Sequence, residues 1–490
     1  MDYVIGIDLG TSSLKAVLVS REGKLIDTRS ASYELAHPQS GYSEQNPEDW
    51  VQAFYQVWES LVETYPTLKE DLVGLSFSGQ MHSLVLLDDK GEVIRAAILW
   101  NDTRTSEECK RITDTFGKEL LTITKNIALE GFTLPKILWV QSHEPENWER
   151  VAKVLLPKDY LRYRLTGTFN MDYSDASGTL LMDFVQKKWS KEICHAFKIA
   201  PSMLPDLVSS LDEVGGLSEE VMAKMGLTRN IKVYAGGADN ACAAFGAGII
   251  DSKKAMVSIG TSGVFLKIED KPIDCKGKLH QFYHVLPDVT YLMGVTLSAG
   301  YSLKWFKDTF ASHMLFDELV ADAARIPAGA EGLLFAPYLV GERSPHMDPK
   351  VRGGFVGIDA RHTLSHFARA VLEGITYSLK DCQVLLEKET QNHCSEIVAV
   401  GGGAKNPVWM QLQADVFDAN FRSLKVEEGP GFGAAMIALY GLDEGKDIQN
   451  FVSELVAYGE EVKACGGEVE VCARGYEEYK KVYPALNSIL

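Results

Sequence analysis

The chain has 490 residues, 46% hydrophobic and 24% charged, which is enough for two large domains with sizeable cores. Its formal net charge of −18 argues against nucleic acid and anionic membranes as partners, since both need basic surface, whereas a nucleotide needs only a local pocket. No apolar run approaches the ~18 residues of a membrane span. The start Met1-Asp2-Tyr3 has no basic signal-peptide region, and eight scattered cysteines without Cys-x-x-Cys fit reduced thiols, so a cytoplasmic protein is expected.

Residues 3–9, 13–20 and 24–32 read as three strands in tight succession. The first turn is Gly10-Thr11-Ser12, with Asp8 just ahead of it. Asn46 before Pro47, Glu48 and Asp49 marks a capped helix start. A strand over 73–77 leads into Gln80, Met81 and His82. Strand candidates follow at 84–87 and 96–100, the second leading into Trp100, Asn101 and Asp102. Asp102 is expected to cap a helix running to about Phe116. A short strand at 233–235 precedes Gly236-Gly237-Ala238-Asp239-Asn240 and an Ala/Gly-rich helix over 241–249. The second Gly-Thr-Ser turn, Gly260-Thr261-Ser262, again sits between apolar β-type runs. A strand over 396–400 ends in Gly401-Gly402-Gly403-Ala404-Lys405-Asn406, and Asn406 is expected to cap a helix from Pro407. A small-residue helix begins near Gly429. The expected division is a sugar-binding domain over 1–248, a nucleotide-binding domain over 249–445 and peripheral helices over 446–490.

The two Gly-Thr-Ser turns lie about half the chain apart with like flanks. They mark a duplicated hairpin at the start of each half. A glycine turn lets the backbone approach a ligand, and successive N–H groups plus hydroxyls can hold phosphate oxygens. Two such turns facing across a cleft can grip one polyphosphate from both sides. The element order is α/β, and ligands in open α/β sheets gather at the carboxyl ends of strands. Asp239 is the leading catalytic candidate because it follows two glycines at a strand end and precedes a tightly packing helix; Asp in that place also serves as a helix cap. With Asp8 it suits one base and one magnesium-side carboxylate, as phosphoryl transfer uses. Gln80, Met81, His82, Trp100, Asn101 and Asp102 are dense in groups that bind a polyol, and neutral Asn240 suits a hydroxyl. The absence of a Walker loop, Gly-x-Gly-x-x-Gly, His-Glu-x-x-His and Gly-x-Ser-x-Gly disfavours several other enzyme classes.

These residues resemble the FGGY carbohydrate kinases. The resemblance is carried by Asp8-x-Gly-Thr-Ser, GTSG at 260–263, GGGA at 401–404 and YLVGERSP at 338–345. SGQMH at 78–82, ILWND at 98–102, GFTLPKILWVQSHEPE at 131–146, LLPKDYLRYRLTG at 155–167 and AGGADNACAAFG at 235–246 add to it. It spans about residues 3–440. It implies a two-domain ribonuclease H-like fold of the actin and hexokinase type, with a duplicated hairpin core and ATP and magnesium in the cleft. It implies substrate at Met81 and His82 and the proton acceptor at Asp239. Nucleotide contacts are implied at Thr11, Ser12, Gly260, Thr261, Gly300, Gly402, Gly403 and Asn406, with metal at Asp8 and Asp239. Within the family the chain is most similar to members acting on D-xylulose, so transfer of the ATP γ-phosphoryl group to that sugar is expected. Gluconate, ribulose and glycerol are the alternative substrates, and Arg104 is the cation that keeps gluconate open. A non-catalytic actin-like ATP-binding or sugar-sensing protein is the alternative of another class. The expected partners are a sugar and a nucleotide, not nucleic acid or membrane, with a homodimer left open.

Overall fold

The computed structural model describes residues 2–443 and 445–489. Its first half is built on a hairpin of β1 (Tyr3–Leu9) and β2 (Ser13–Ser20), extended by β3 (Leu25–Ser32). After α1 (Pro47–Thr64), β4 (Leu72–Gly79) runs parallel to β1. Asn46 accepts a hydrogen bond from the Glu48 N–H, the expected cap of α1. Further along come α2 (Ser106–Thr124), α3 (Pro157–Thr166), β5 (Glu213–Gly216), β6 (Lys232–Tyr234) and α4 (Asp239–Gly246). The sheet order is β5-β6-β4-β1-β2-β3.

The second half repeats this plan. β7 (Lys254–Ile259) and β8 (Gly263–Glu269) form the hairpin, followed by β9 (His280–Tyr283), β10 (Thr290–Thr296), α5 (Gly300–Phe310) and the long α6 (Leu364–Thr390). β11 (Glu396–Gly401) lies parallel to β7, and α7 (Pro407–Phe417) and β12 (Asn420–Leu424) follow. Then come α8 (Gly429–Leu442), β13 (Tyr458–Val462) and α9 (Gly466–Tyr479). The sheet order is β9-β10-β8-β7-β11-β12-β13. In both halves the hairpin's first strand takes a parallel neighbour on one side and its antiparallel partner on the other. The duplication seen in the turns therefore extends to strand order.

Both faces of the first sheet are covered at its centre, so β1 and β2 are largely apolar and buried, whereas β3 and β5 at the edges are polar and partly exposed. Ile5, Ile7, Leu14 and Leu18 pack with Trp50, Phe54 and Trp58 of α1. Val4, Val17 and Val19 face the other way, with Ala435, Met436 and Ile437 of α8. α8 thus returns from the second half of the chain to cover the first sheet. It fits because small residues line the contact: a Cβ on Gly6 would stand 2.0 Å from the Gly431 carbonyl. At the α4–α8 crossing a Cβ on Gly433 would stand 1.9 Å from the Cys242 carbonyl.

Two expectations need correction. The tail is not a set of peripheral helices. β13 completes the second sheet as its edge strand, and α9 buries Cys472, Tyr476 and Tyr479 in the second core. Asp102 does not cap α2, whose cap position is Thr105. The Asp102 carboxylate stands ahead of the helix and accepts instead from the Ser43 and Arg104 N–H groups and from the Arg104 guanidinium.

Candidate active site

The second Gly-Thr-Ser turn is closed by a Gly260 N–H bond to the Ser262 carbonyl at 3.0 Å. The start of α5 is docked on it, with the Gly300 N–H donating to the Gly260 carbonyl at 2.8 Å. A Cβ on Gly300 would lie 2.5 Å from that oxygen, so only glycine permits this approach. Gly260, Thr261, Gly300, Gly402, Gly403 and Asn406 all line one cavity of about 590 Å³. Asn406 caps α7 as expected, accepting from the Val408 and Trp409 N–H groups. Tyr301, Phe316, Lys304 and Lys405 also line the cavity and were not read from the sequence. Lys405 was within reach, because it lies inside the glycine-rich run.

The first turn stands outside that cavity. Its carbonyls are turned to protein donors: Gly10 accepts from Tyr33 Oη at 2.5 Å and Thr11 from Gln45 Nε2 at 2.6 Å. Thr11 Oγ1 accepts from Trp100 Nε1 at 2.9 Å, and Ser12 is exposed. Gln80 is buried between this turn and Gln45, with Nε2 3.4 Å from the Gly10 carbonyl. It supports the turn instead of facing a sugar.

Asp239 begins α4, and Asp8 is the last residue but one of β1, on the face that α8 covers. Gly236, at φ 74°, makes the sharp turn that delivers Asp239; a Cβ there would sit 2.0 Å from the Phe77 carbonyl. Asp239 Oδ1 accepts from the Asn240 N–H at 2.7 Å and from Asn240 Nδ2 at 2.9 Å. Burial, with the negative charge of Asp8 added, pushes the Asp239 carboxyl up to about 7. Burial likewise pushes Asp8 up to about 6, against the pull of Lys15. Two carboxylates that resist ionising side by side form a hard-oxygen donor set, the kind that suits magnesium. Asp239 and Asn240 also line a cleft of about 250 Å³ with Ser258, Gly401, Glu427 and Glu428.

Beside Asn240 lies the polar and aromatic pocket. Met81 Sδ is 3.9 Å from both Asn240 Nδ2 and Tyr291 Oη. His82 adopts φ 68°, a strained conformation for a side-chain-bearing residue. Its own carbonyl is anchored by Thr133 Oγ1 at 3.0 Å. Its Nδ1 lies 2.7 Å from the Gly178 carbonyl. A carbonyl only accepts, so Nδ1 carries the proton and Nε2 is left as an acceptor. Burial, with smaller contributions from nearby positive groups, pushes the imidazole down to about 3, so it is neutral near pH 7. His82, Trp100, His280 and Arg343 line one small cavity. Arg343 reaches it from the second half of the chain, and nothing local in the sequence announces that.

The remaining expectations separate here. Asn101 is exposed beside Trp100. Asp102 is buried, accepting from the Ser43 N–H at 2.6 Å and pairing with Arg104 at 2.7 Å. Arg104 also pairs with Glu44 at 2.7 Å and lies 3.6 Å over the Tyr42 ring. Neither Asp102 nor Arg104 is free to meet a substrate.

Two pseudo-equivalent lobes, a glycine-lined cavity on one and a carboxylate beside a polar pocket on the other define a two-lobed phosphotransferase for small hydroxylated molecules. The profile of the FGGY carbohydrate kinase N-terminal domain matches residues 3–246, and that of the C-terminal domain matches 255–442. The chain belongs to the FGGY family of carbohydrate kinases. It is 52% identical over 460 residues to the xylulose kinase of Lactococcus lactis, covering 94% of this chain and 92% of that one. It is 49% identical to the xylulose kinase of Bacillus subtilis, covering 99% and 97%. Among solved structures, the ligand-bound xylulose kinase of Lactobacillus acidophilus superposes with a TM-score of 0.95 at 26% identity over 99% of each chain.

Proposed function

We propose that the chain transfers the γ-phosphoryl group of ATP to the 5-hydroxyl of D-xylulose. The observation that carries this reading is the meeting of Asp239 and Asn240 with Met81, which sets a weakly acidic carboxyl at the edge of the polar and aromatic pocket. A base whose pKa lies near the working pH is well matched to taking a proton as the new bond forms. Asp239 accepts the proton from the sugar hydroxyl. Asn240 and the neutral His82 Nε2 orient hydroxyl groups, and Trp100 offers a ring face. The second turn, Gly300, Gly402 and Gly403 hold the nucleotide, with Thr11 and Ser12 closing on its phosphates from the other lobe. Asp8 and Asp239 would hold magnesium, which neutralises charge on the transferring phosphate. Closure of the lobes on the sugar keeps water from the reaction.

A cytoplasmic setting is supported by eight cysteines that are all unpaired among the described residues.

A second reading, phosphorylation of gluconate, is favoured by Arg343, a cation in the same cavity as His82. One panel separates the two: ADP release with ATP and magnesium on D-xylulose, D-ribulose, L-ribulose, gluconate and glycerol. D-xylulose is expected to give the highest kcat/KM.

A further inference from the structure

Beneath the Asp239 loop lies an ionic cluster with no exposed side-chain surface. Lys158 Nζ is 2.6 Å from Asp159 Oδ1, 3.0 Å from Asp172 Oδ1 and 3.2 Å from Asp175 Oδ2. The three carboxylates converge closely enough for a cation site, but the ammonium already bridges them. Arg162 adds a second cation, 3.0 Å from Asp159. Charges withdrawn from water this completely cost free energy that packing alone would not. Their placement therefore asks for a reason.

The cluster grips the loop before Asp239 at two points. Arg162 donates to the Ala235 carbonyl. Asp172 Oδ2 accepts from Ser174 Oγ and, at 2.7 Å, from Ser210 Oγ. With its proton given to Asp172, Ser174 Oγ accepts the Ala238 N–H at 2.8 Å. A chain of charge-assisted bonds thus runs from Lys158 through Asp172 and Ser174 to the residue next to Asp239. Ser210 makes the same kind of bond to Asp172, but its hydroxyl has no contact with Ala238. We propose that Ser174, backed by the Lys158–Asp172 pair, is a positioning residue that sets the place of the Asp239 carboxylate. The inference rests on Asp239 being the proton acceptor.

The two serines supply the test. Ser174→Ala and Ser210→Ala each remove one hydroxyl from Asp172, so both lower thermal stability. Only Ser174→Ala also frees the Ala238 N–H. Displacing a reacting group by about 1 Å can cost ~100-fold in rate. Ser174→Ala is expected to lower kcat by ~10-fold or more with both KM values near normal, while Ser210→Ala keeps kcat. Ser174→Cys, with a weak acceptor of similar size, should fall between Ser174→Ala and the parent, and it serves alone if the alanine variant does not fold. The assay uses whichever sugar the unmodified protein turns over fastest, so failure of the D-xylulose reading leaves it intact. Equal kcat in the Ser174 and Ser210 variants, per mole of folded protein, would overturn the proposal. If Asp239→Asn leaves kcat unchanged, it is the reading of Asp239 that fails instead.

Discussion

Trp100 Nε1 donates to Thr11 Oγ1 at 2.9 Å, joining the aromatic wall of the proposed sugar pocket to the first Gly-Thr-Ser turn. Trp100 is more than a third exposed, so the bond is not forced by burial. If the sugar and phosphate roles proposed for Trp100 and Thr11 hold, this bond couples the two sites. Trp100→Phe keeps a ring face and deletes the donor. A net hydrogen bond is worth about 0.5–1.5 kcal/mol, or roughly 2- to 12-fold. We expect kcat/KM to fall within that range, and D-xylulose to sharpen ATP binding less than in the parent. Titration of an ATP analogue with and without sugar checks this; identical coupling in both proteins would leave the bond without functional meaning.

Asp239→Asn keeps the size of the side chain and its capping place but cannot accept the proton. Removal of a general base costs typically ~10²–10⁴-fold in rate. Calorimetric titration should still show D-xylulose binding. Near-normal turnover would reduce Asp239 to a helix cap.

The same carboxyl leaves a mark on stability. Asp8 and Asp239 are lifted from 3.8 to about 6 and about 7. The folded chain therefore binds more protons than the unfolded chain between these values. Their contribution is fully present below the unfolded value and is lost as pH rises through the folded ones. Buried His82, His280 and His284, all pushed down to about 3, act in the opposite sense, adding stability as pH rises toward 6.5. The informative quantity is therefore a difference. The Tm of Asp239→Asn minus that of the parent should grow from about pH 5 to about pH 8 without magnesium. Magnesium should shrink it, because a cation bound to the folded state stabilises the parent. A pH-independent offset would show that the Asp239 carboxyl titrates normally.

The hairpins were legible because each Gly-Thr-Ser turn interrupts an apolar β run, and Asn406 because a polar residue before proline at a helix start has one common use. Asp102 misled for the same reason: its carboxylate has a nearer partner in Arg104. The strand Tyr458–Val462 was not legible because it is an edge strand with mostly half-exposed residues and no buried face to create a pattern. Arg343 escaped because its place beside His82 depends on the packing of two distant segments. Its motif is visible, but its neighbour His82 is supplied only by the fold.

Arg343 is where substrate choice is tested most directly. Burial lowers its pKa, against the attraction of Glu130 and Glu342, and the pocket it lines contains a cation. It lies with His82 and Trp100, while Arg104 is committed to Asp102 and Glu44. An oxygen of the substrate is then the natural partner for the guanidinium. Arg343→Met retains the length of the side chain and removes the charge. A lost hydrogen bond to a charged group costs about 1.5–3 kcal/mol, so the KM for D-xylulose should rise roughly 10- to 150-fold. The KM for ATP should stay near normal, because the cavity proposed for the nucleotide is lined by other residues. If the parent prefers gluconate and Arg343→Met abolishes that preference, the second reading is correct and Arg343 is its carboxylate partner. If neither sugar's KM responds, the guanidinium does not touch substrate, and specificity rests on Met81, His82 and Asn240.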